Sequence, residues 1–186
     1  MPIQNKMSVA VPQTLTEKDY CAAYCAVKRF AFPRQRRSIR AGICLTAAAL
    51  AASTIPACLN FYRTAVPSAA ITAAAVILAA LIWFLQPAVD SRRAAAVFRS
   101  CPLMAQPCRV TVARDHAVVQ SKYENYTEYW TDFSVCVETP ELFAAACGRQ
   151  RDMLILKKQD LAPEQAAAIS ECLAGVFALR YYKTGR

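Results

Sequence analysis

Charge is what the middle of this chain lacks. Between Arg40 and Arg63, and again between Arg63 and Asp90, no Asp, Glu, Lys, Arg or His occurs. That absence excludes an ordinary surface helix, which carries a polar stripe along one side. Histidine is nearly missing as well. His116 is the only one, in a segment that reads as a turn, so a multi-histidine metal site is excluded. Glycine occurs four times, at positions 42, 148, 175 and 185, and none lies in a phosphate-cradling loop pattern. No acid dyad and no Cys/His pair stands out. The sequence therefore predicts a protein that is not an enzyme and holds no metal or cofactor.

What fills the uncharged middle is apolar. From Ala41 to Val89 only Arg63 interrupts the run. Each half holds the roughly 20 residues that a helix needs to cross about 30 Å of hydrocarbon. A helix satisfies its own backbone donors and acceptors, which lipid does not do. The reading is a transmembrane hairpin over 41–89, with helices at about 42–61 and 66–86 and a turn from Asn60 to Pro67. The second helix is the more apolar. The first carries Thr46, Ser53, Thr54 and Pro56 and gains support from its neighbour. Small residues four apart, Ala48 with Ala52 or Ala69 with Ala73, suit close helix contact. Tyr62 and Trp83 fall near opposite interfaces.

Basic residues orient the hairpin. Lys28, Arg29, Arg34, Arg36, Arg37 and Arg40 precede it, Arg92, Arg93 and Arg99 follow it, and the turn has Arg63 alone. The positive-inside rule then puts both termini in the cytoplasm of a multi-pass inner-membrane protein. The net charge of +9 is explained by this topology and by anionic lipid. Nucleic acid is not an expected partner, because no recognition motif accompanies the charge. Nine cysteines without regular spacing are expected to be free thiols in a reducing compartment.

In chain order, residues 1–13 read as a flexible tail. Residues 14–40 hold an amphipathic helix and the basic juxtamembrane run. Thr16-Glu-Lys-Asp19 is a capping-box-like start, and Tyr20, Tyr24 and Val27 share a face. Residues 90–107 read as a juxtamembrane linker, with Asp90 to Arg99 prolonging the second helix. From Cys108 the period changes to two, and 108–180 reads as a small cytoplasmic domain. Its strands are expected at Cys108–Val112, Ala117–Ser121, Ser134–Glu138, Leu142–Cys147 and Met153–Lys157, with a further short one between Tyr123 and Trp130. A helix from Pro163 buries Ile169, Leu173, Val176 and Phe177. Residues 181–186 are expected to be a tail. The fold class is membrane α+β: the hairpin, then a small antiparallel sheet closed by a C-terminal helix.

The order of Leu15-Thr-Glu-Lys-Asp-Tyr20, basic stretch, hairpin, Tyr129-Trp-Thr-Asp-Phe133, Val137-Glu-Thr139, Ile155-Leu-Lys-Lys158 and closing helix resembles the YcxB-like family of small bacterial membrane proteins. The resemblance covers most of the chain from Leu15 to about Phe177. It implies a C-terminal domain similar to bacterial pleckstrin-homology (PH) domains and, the family being uncharacterised, adds no activity.

The expected function is a membrane-anchored cytoplasmic module that binds an unknown protein partner or regulates something at the bilayer. The alternative is a reader of anionic lipid headgroups, with Arg92, Arg93, Lys157 and Lys158 converging on one face. Trp130, with Tyr123, Tyr126 and Tyr129, is a possible aromatic contact surface, against the plainer reading of a core tryptophan.

Overall fold

A computed structural model describes residues 8–31, 38, 41–50, 52, 62–148 and 152–184. The chain divides into two compact units, Met1–Ala31 with Ser91–Arg186, and Phe32–Asp90.

The first unit is a mixed α+β assembly with two four-stranded sheets. One sheet has the order β1 (Ser8–Gln13), β2 (Cys108–Ala113), β3 (His116–Ser121), β4 (Asn125–Tyr129), antiparallel throughout. The other has the order β7 (Met153–Lys157), β6 (Leu142–Ala146), β5 (Val135–Glu138), β8 (Tyr181–Lys183), with β8 parallel to β5. Helix α1 (Glu17–Phe30) packs on the second sheet. Helix α4 (Pro163–Phe177) lies on its other side.

The sequences of the two sheets differ because their surroundings differ. In β2, Val110 and Val112 point inward and alternate with Arg109 and Thr111, the pattern of a strand with one wet face. β5, β6 and β7 are apolar almost without interruption because both their faces are covered. On one face Cys136, Phe143, Ala145, Leu154 and Leu156 join Val110, Val112, Trp130, Phe133 and the α4 residues Ile169, Leu173 and Phe177 in one core. On the other, Val135, Val137, Leu142, Ala144 and Ile155 meet Tyr20, Ala23 and Val27 of α1, together with Ala94 and Phe98.

Local chemistry fixes the ends of these elements. Thr16 caps α1: its hydroxyl accepts the Asp19 N–H at 3.3 Å while its own N–H donates to Asp19 Oδ2 at 3.0 Å. Pro163 occupies the first turn of α4, where its missing N–H costs nothing. Gln13 does something less common. Its side-chain amide donates to Ile155 O at 2.7 Å and accepts from Lys157 N at 3.1 Å. One side chain thereby pairs with the outer edge of β7 as a strand would, joining the two sheets.

Several sequence expectations are corrected. Residues 8–13 are no tail but the edge strand β1, held through its whole length by β2. Pro12 is tolerated because edge strands can spare an N–H. Residues 90–107 are no linker either. Helix α3 (Tyr62–Ser100) runs on to Ser100, Ala94 and Phe98 are buried in the core beside α1, and a 3-10 turn follows at Pro102–Ala105. Arg99 makes two 2.7 Å bonds to Glu17. Residues 181–183 form β8 instead of a tail. The single sheet becomes two, since β4 and β5 fall in separate sheets, and β1 and β8, both unforeseen, each complete a set of four.

In the second unit, α2 (Ala41–Leu50) and the first part of α3 are described. Residues 51 and 53–61, most of the second half of the first expected membrane helix, lie outside the described residues, as do 1–7 and Arg34, Arg36, Arg37 and Arg40. α3 begins at Tyr62, so 62–67 is helix where a turn is expected. Thr72 Oγ1 lies 3.5 Å from Leu50 O, linking α2 and α3. A groove of about 410 Å³ runs between them, lined by Gly42, Thr46, Ala47, Leu50, Ala75 and Ala79 among others. Ala48, Ala52 and Ala73, expected at a helix contact, are exposed. Among the described residues one helix, Thr72–Ser100, is long and apolar enough to cross a membrane, with a mean hydropathy of 2.0 in its most apolar window. In its apolar part Val76, Ile77, Leu78, Leu81, Trp83, Leu85 and Phe84, the last at 79%, are exposed.

Candidate functional site

Of the residues singled out in the sequence, three turn inward. Trp130 is 1% exposed. Its indole N–H donates to Ala113 O at 2.9 Å and its ring centroid lies 6.1 Å from that of Phe133. It is a core residue and offers no contact surface. Lys157 is buried, with Nζ donating to Thr14 O at 3.3 Å and lying 3.3 Å from Asp19 Oδ2. Lys158 Nζ bonds Glu138 Oε1 at 2.7 Å and sits 4.4 Å from the Phe143 ring centroid. Arg92 and Arg93 remain exposed, as do Tyr123 and Tyr129. The expected convergence of four cations toward lipid is corrected accordingly: two of the four are engaged by acids of their own domain, because the end of β7 lies within side-chain reach of Asp19 on α1 and of Glu138 at the end of β5.

The most developed polar constellation centres on Glu138, a residue the sequence reading passed over. Strand alternation in β5 sends Val135 and Val137 toward α1 and sends Cys136 and Glu138 toward the α4 side. Glu138 arrives at the strand end with its side chain only 5% exposed. Four other groups reach it. Lys158 follows β7; Ser170 projects from α4, its Oγ donating to Glu138 Oε2 at 2.7 Å. β8 supplies Tyr181 and Lys183, two apart and so on one face. Tyr181 OH donates to Glu138 Oε2 in a short bond and lies 3.2 Å from Ser170 Oγ. Lys183 Nζ lies 3.2 Å from Glu138 Oε1 and 3.3 Å from Ser170 Oγ. The backbone closes the set, for Glu138 O accepts both the N–H and the hydroxyl of Thr184, at 2.8 and 3.0 Å. A cleft of about 400 Å³ opens beside this cluster.

Electrostatics fix the protons. Burial disfavours the Glu138 carboxylate, but hydrogen bonds from Lys158, Tyr181, Ser170 and Lys183 outweigh it and lower its pKa to about 2. Tyr181 is pushed well above the usual phenol range, by burial first and then by the Glu138 carboxylate that its hydroxyl serves. Near neutral pH the acid stays ionised and the phenol stays protonated. General acid–base work needs a pKa near the operating pH, and neither group has one. The arrangement suits a latch, fastening β8 to β5 and α4.

Among the described residues no group of three or more His, Cys, Asp or Glu is placed to hold a metal ion. His116 pairs with its neighbour, Nδ1 to Asp115 Oδ1 at 2.7 Å. Cys136 is buried beside the latch, and burial, then the Glu138 charge, raise its thiol to about 12. The one available signal for the site was an acid ending an otherwise apolar strand, in Val135-Cys-Val-Glu138. Its partners on α4 and β8 gave none.

Set beside known proteins, the chain matches no family model, no curated protein and no solved structure.

Proposed function

We propose that this chain is a membrane-anchored, non-enzymatic module of the YcxB-like kind, carried on a two-helix hairpin, with both termini in the cytoplasm and a PH-like domain that binds a protein partner or regulates something at the bilayer. One observation carries the reading. Strand β1 precedes the apolar stretch and strand β2 follows it, yet they pair from Ser8↔Ala113 to Gln13↔Cys108. Strands of one sheet share one side of a membrane, so the chain between them crosses an even number of times or not at all. The exposed apolar flank of α3 favours crossing, and the run that begins at Ala41 supplies the return passage. At 39 residues, α3 is about 58 Å long, nearly twice the hydrocarbon thickness. The surplus is consistent with its C-terminal turns serving as domain core. The preceding basic residues favour the cytoplasm for the shared side.

Two sheets with a C-terminal helix against them support the PH-like description. The fixed protons of the Glu138 cluster support a binding role over an enzymatic one. The headgroup reader is the weaker alternative, since Lys157 and Lys158 are already paired with Asp19 and Glu138. Reporter fusions at Met1 and Arg186 test the proposal. Both are expected to read as cytoplasmic; an external signal at either end would overturn it.

A further inference from the structure

Strand β8 is held in place by a hinge whose residues prefer something else. α4 ends at Phe177, and the chain reverses through Ala178, Leu179 and Arg180 to reach β8. Ala178 sits at φ 46° and ψ −113°, the region that glycine takes at the first corner of a type II′ turn. The nearest glycines are Gly175, inside α4, and Gly185, beyond β8; neither serves the reversal. Alanine, leucine and arginine are meanwhile among the strongest helix formers. Local preference over 178–180 is to prolong α4, and the closed fold overrides it. Leu179, at the corner, is 95% exposed.

The contacts that seat β8 are indifferent to the hinge. They comprise three residue pairs with β5, namely Cys136↔Tyr181, Val137↔Tyr182 and Glu138↔Lys183. To these the Glu138 latch and the two bonds from Thr184 are added. Apart from the Tyr181 N–H donated to Ala178 O, which belongs to the turn itself, none involves residues 178–180. Every one forms equally well when β8 arrives from a different chain.

We propose that two copies of this protein exchange β8. α4 runs on through Ala178–Arg180, delivers Tyr181–Lys183 to the β5 edge of a second copy, and receives that copy's β8 in return. The exchange is two-fold and self-closing. It keeps every latch contact while removing the disfavoured backbone at Ala178. The occupant of the β5 edge is specified by the latch itself: an extended segment with a tyrosine and, two residues on, a lysine, followed by a hydroxyl residue. The second copy carries that segment at the required spacing in Tyr181-Tyr-Lys-Thr184.

The test uses full-length chains in two differently tagged forms, Val137→Cys in one and Tyr182→Cys in the other, co-produced and mildly oxidised in their membranes. These positions are register partners, and wild-type pairs under the same oxidation control for the native thiols. A disulfide joining the two tags is expected, with its yield falling several-fold when Ala178→Gly is present in both copies. No mixed-tag link, while a single chain carrying both cysteines closes only on itself, would overturn the proposal. Should either cysteine variant misfold, the mass of unaltered protein in detergent decides. Dimers that shift toward monomer with Ala178→Gly support exchange. A monomeric wild type, or a dimer indifferent to Ala178→Gly, refutes it.

Discussion

Glu138→Gln preserves the shape of the latch and removes its charge, so its effect on stability follows from the pKa. The folded carboxylate stays ionised down to about pH 2, against 4.5 for an ordinary glutamate. One pKa unit corresponds to about 1.4 kcal/mol, so the shift is worth on the order of 3 kcal/mol. With the side chain 5% exposed, solvent screening reduces this little. Because the folded pKa is the lower one, the contribution is fully present above about pH 4.5 and drains away as pH falls toward 2. By pH 3 about three-fifths of it is gone. The assay is urea unfolding of the full chain in detergent, followed by Trp130 emission in a Trp83→Phe background. The variant is expected to be less stable than its parent by about 3 kcal/mol at pH 6 and by about 1.4 kcal/mol at pH 3. The comparison between pH values matters more than either alone, since other carboxylates titrate equally in both proteins. A gap of the same size at both pH values, or none at pH 6, would refute the latch as described.

Gln13→Ala is expected to lower stability by about 2–4 kcal/mol, because it strands a buried carbonyl at Ile155 and a buried N–H at Lys157. Amide exchange at Lys157 should quicken in step, and unchanged protection there would discount the bridge. Trp130→Ala removes a ring from the centre of the larger core and should cost about 3–5 kcal/mol. An unchanged urea midpoint would put the indole outside that core.

Much of the first unit was legible because its local signals and its tertiary demands agree. Thr16 and Asp19 read as a cap and form one. Val110 and Val112 alternate with polar neighbours and sit in a strand with one wet face. Met153–Lys157 was bounded to the residue. The site was not legible, because Glu138, Ser170, Tyr181 and Lys183 form no motif. They meet only where β8 lies beside β5 and under α4, and a parallel strand of three residues leaves no periodicity to detect. Lys157 and Lys158 misled for a related reason. Two lysines ending a strand look solvated, and the acids that engage them, Asp19 and Glu138, lie far away in sequence.

The sequence by itself determined the long apolar stretch, the class of secondary structure along most of the described chain, and the faces of α1 and α4. Each of these is a local property, set by composition or by a period of two or 3.6. Only the tertiary structure decided that Ser8–Gln13 belongs to a sheet begun again a hundred residues later, that the end of α3 is core, and that β8 is fastened to Glu138. Those are pairings between distant segments. Their free energy comes from partners that no window of sequence contains, and β1 shows this most plainly: alone it reads as a tail, and beside β2 it is a strand.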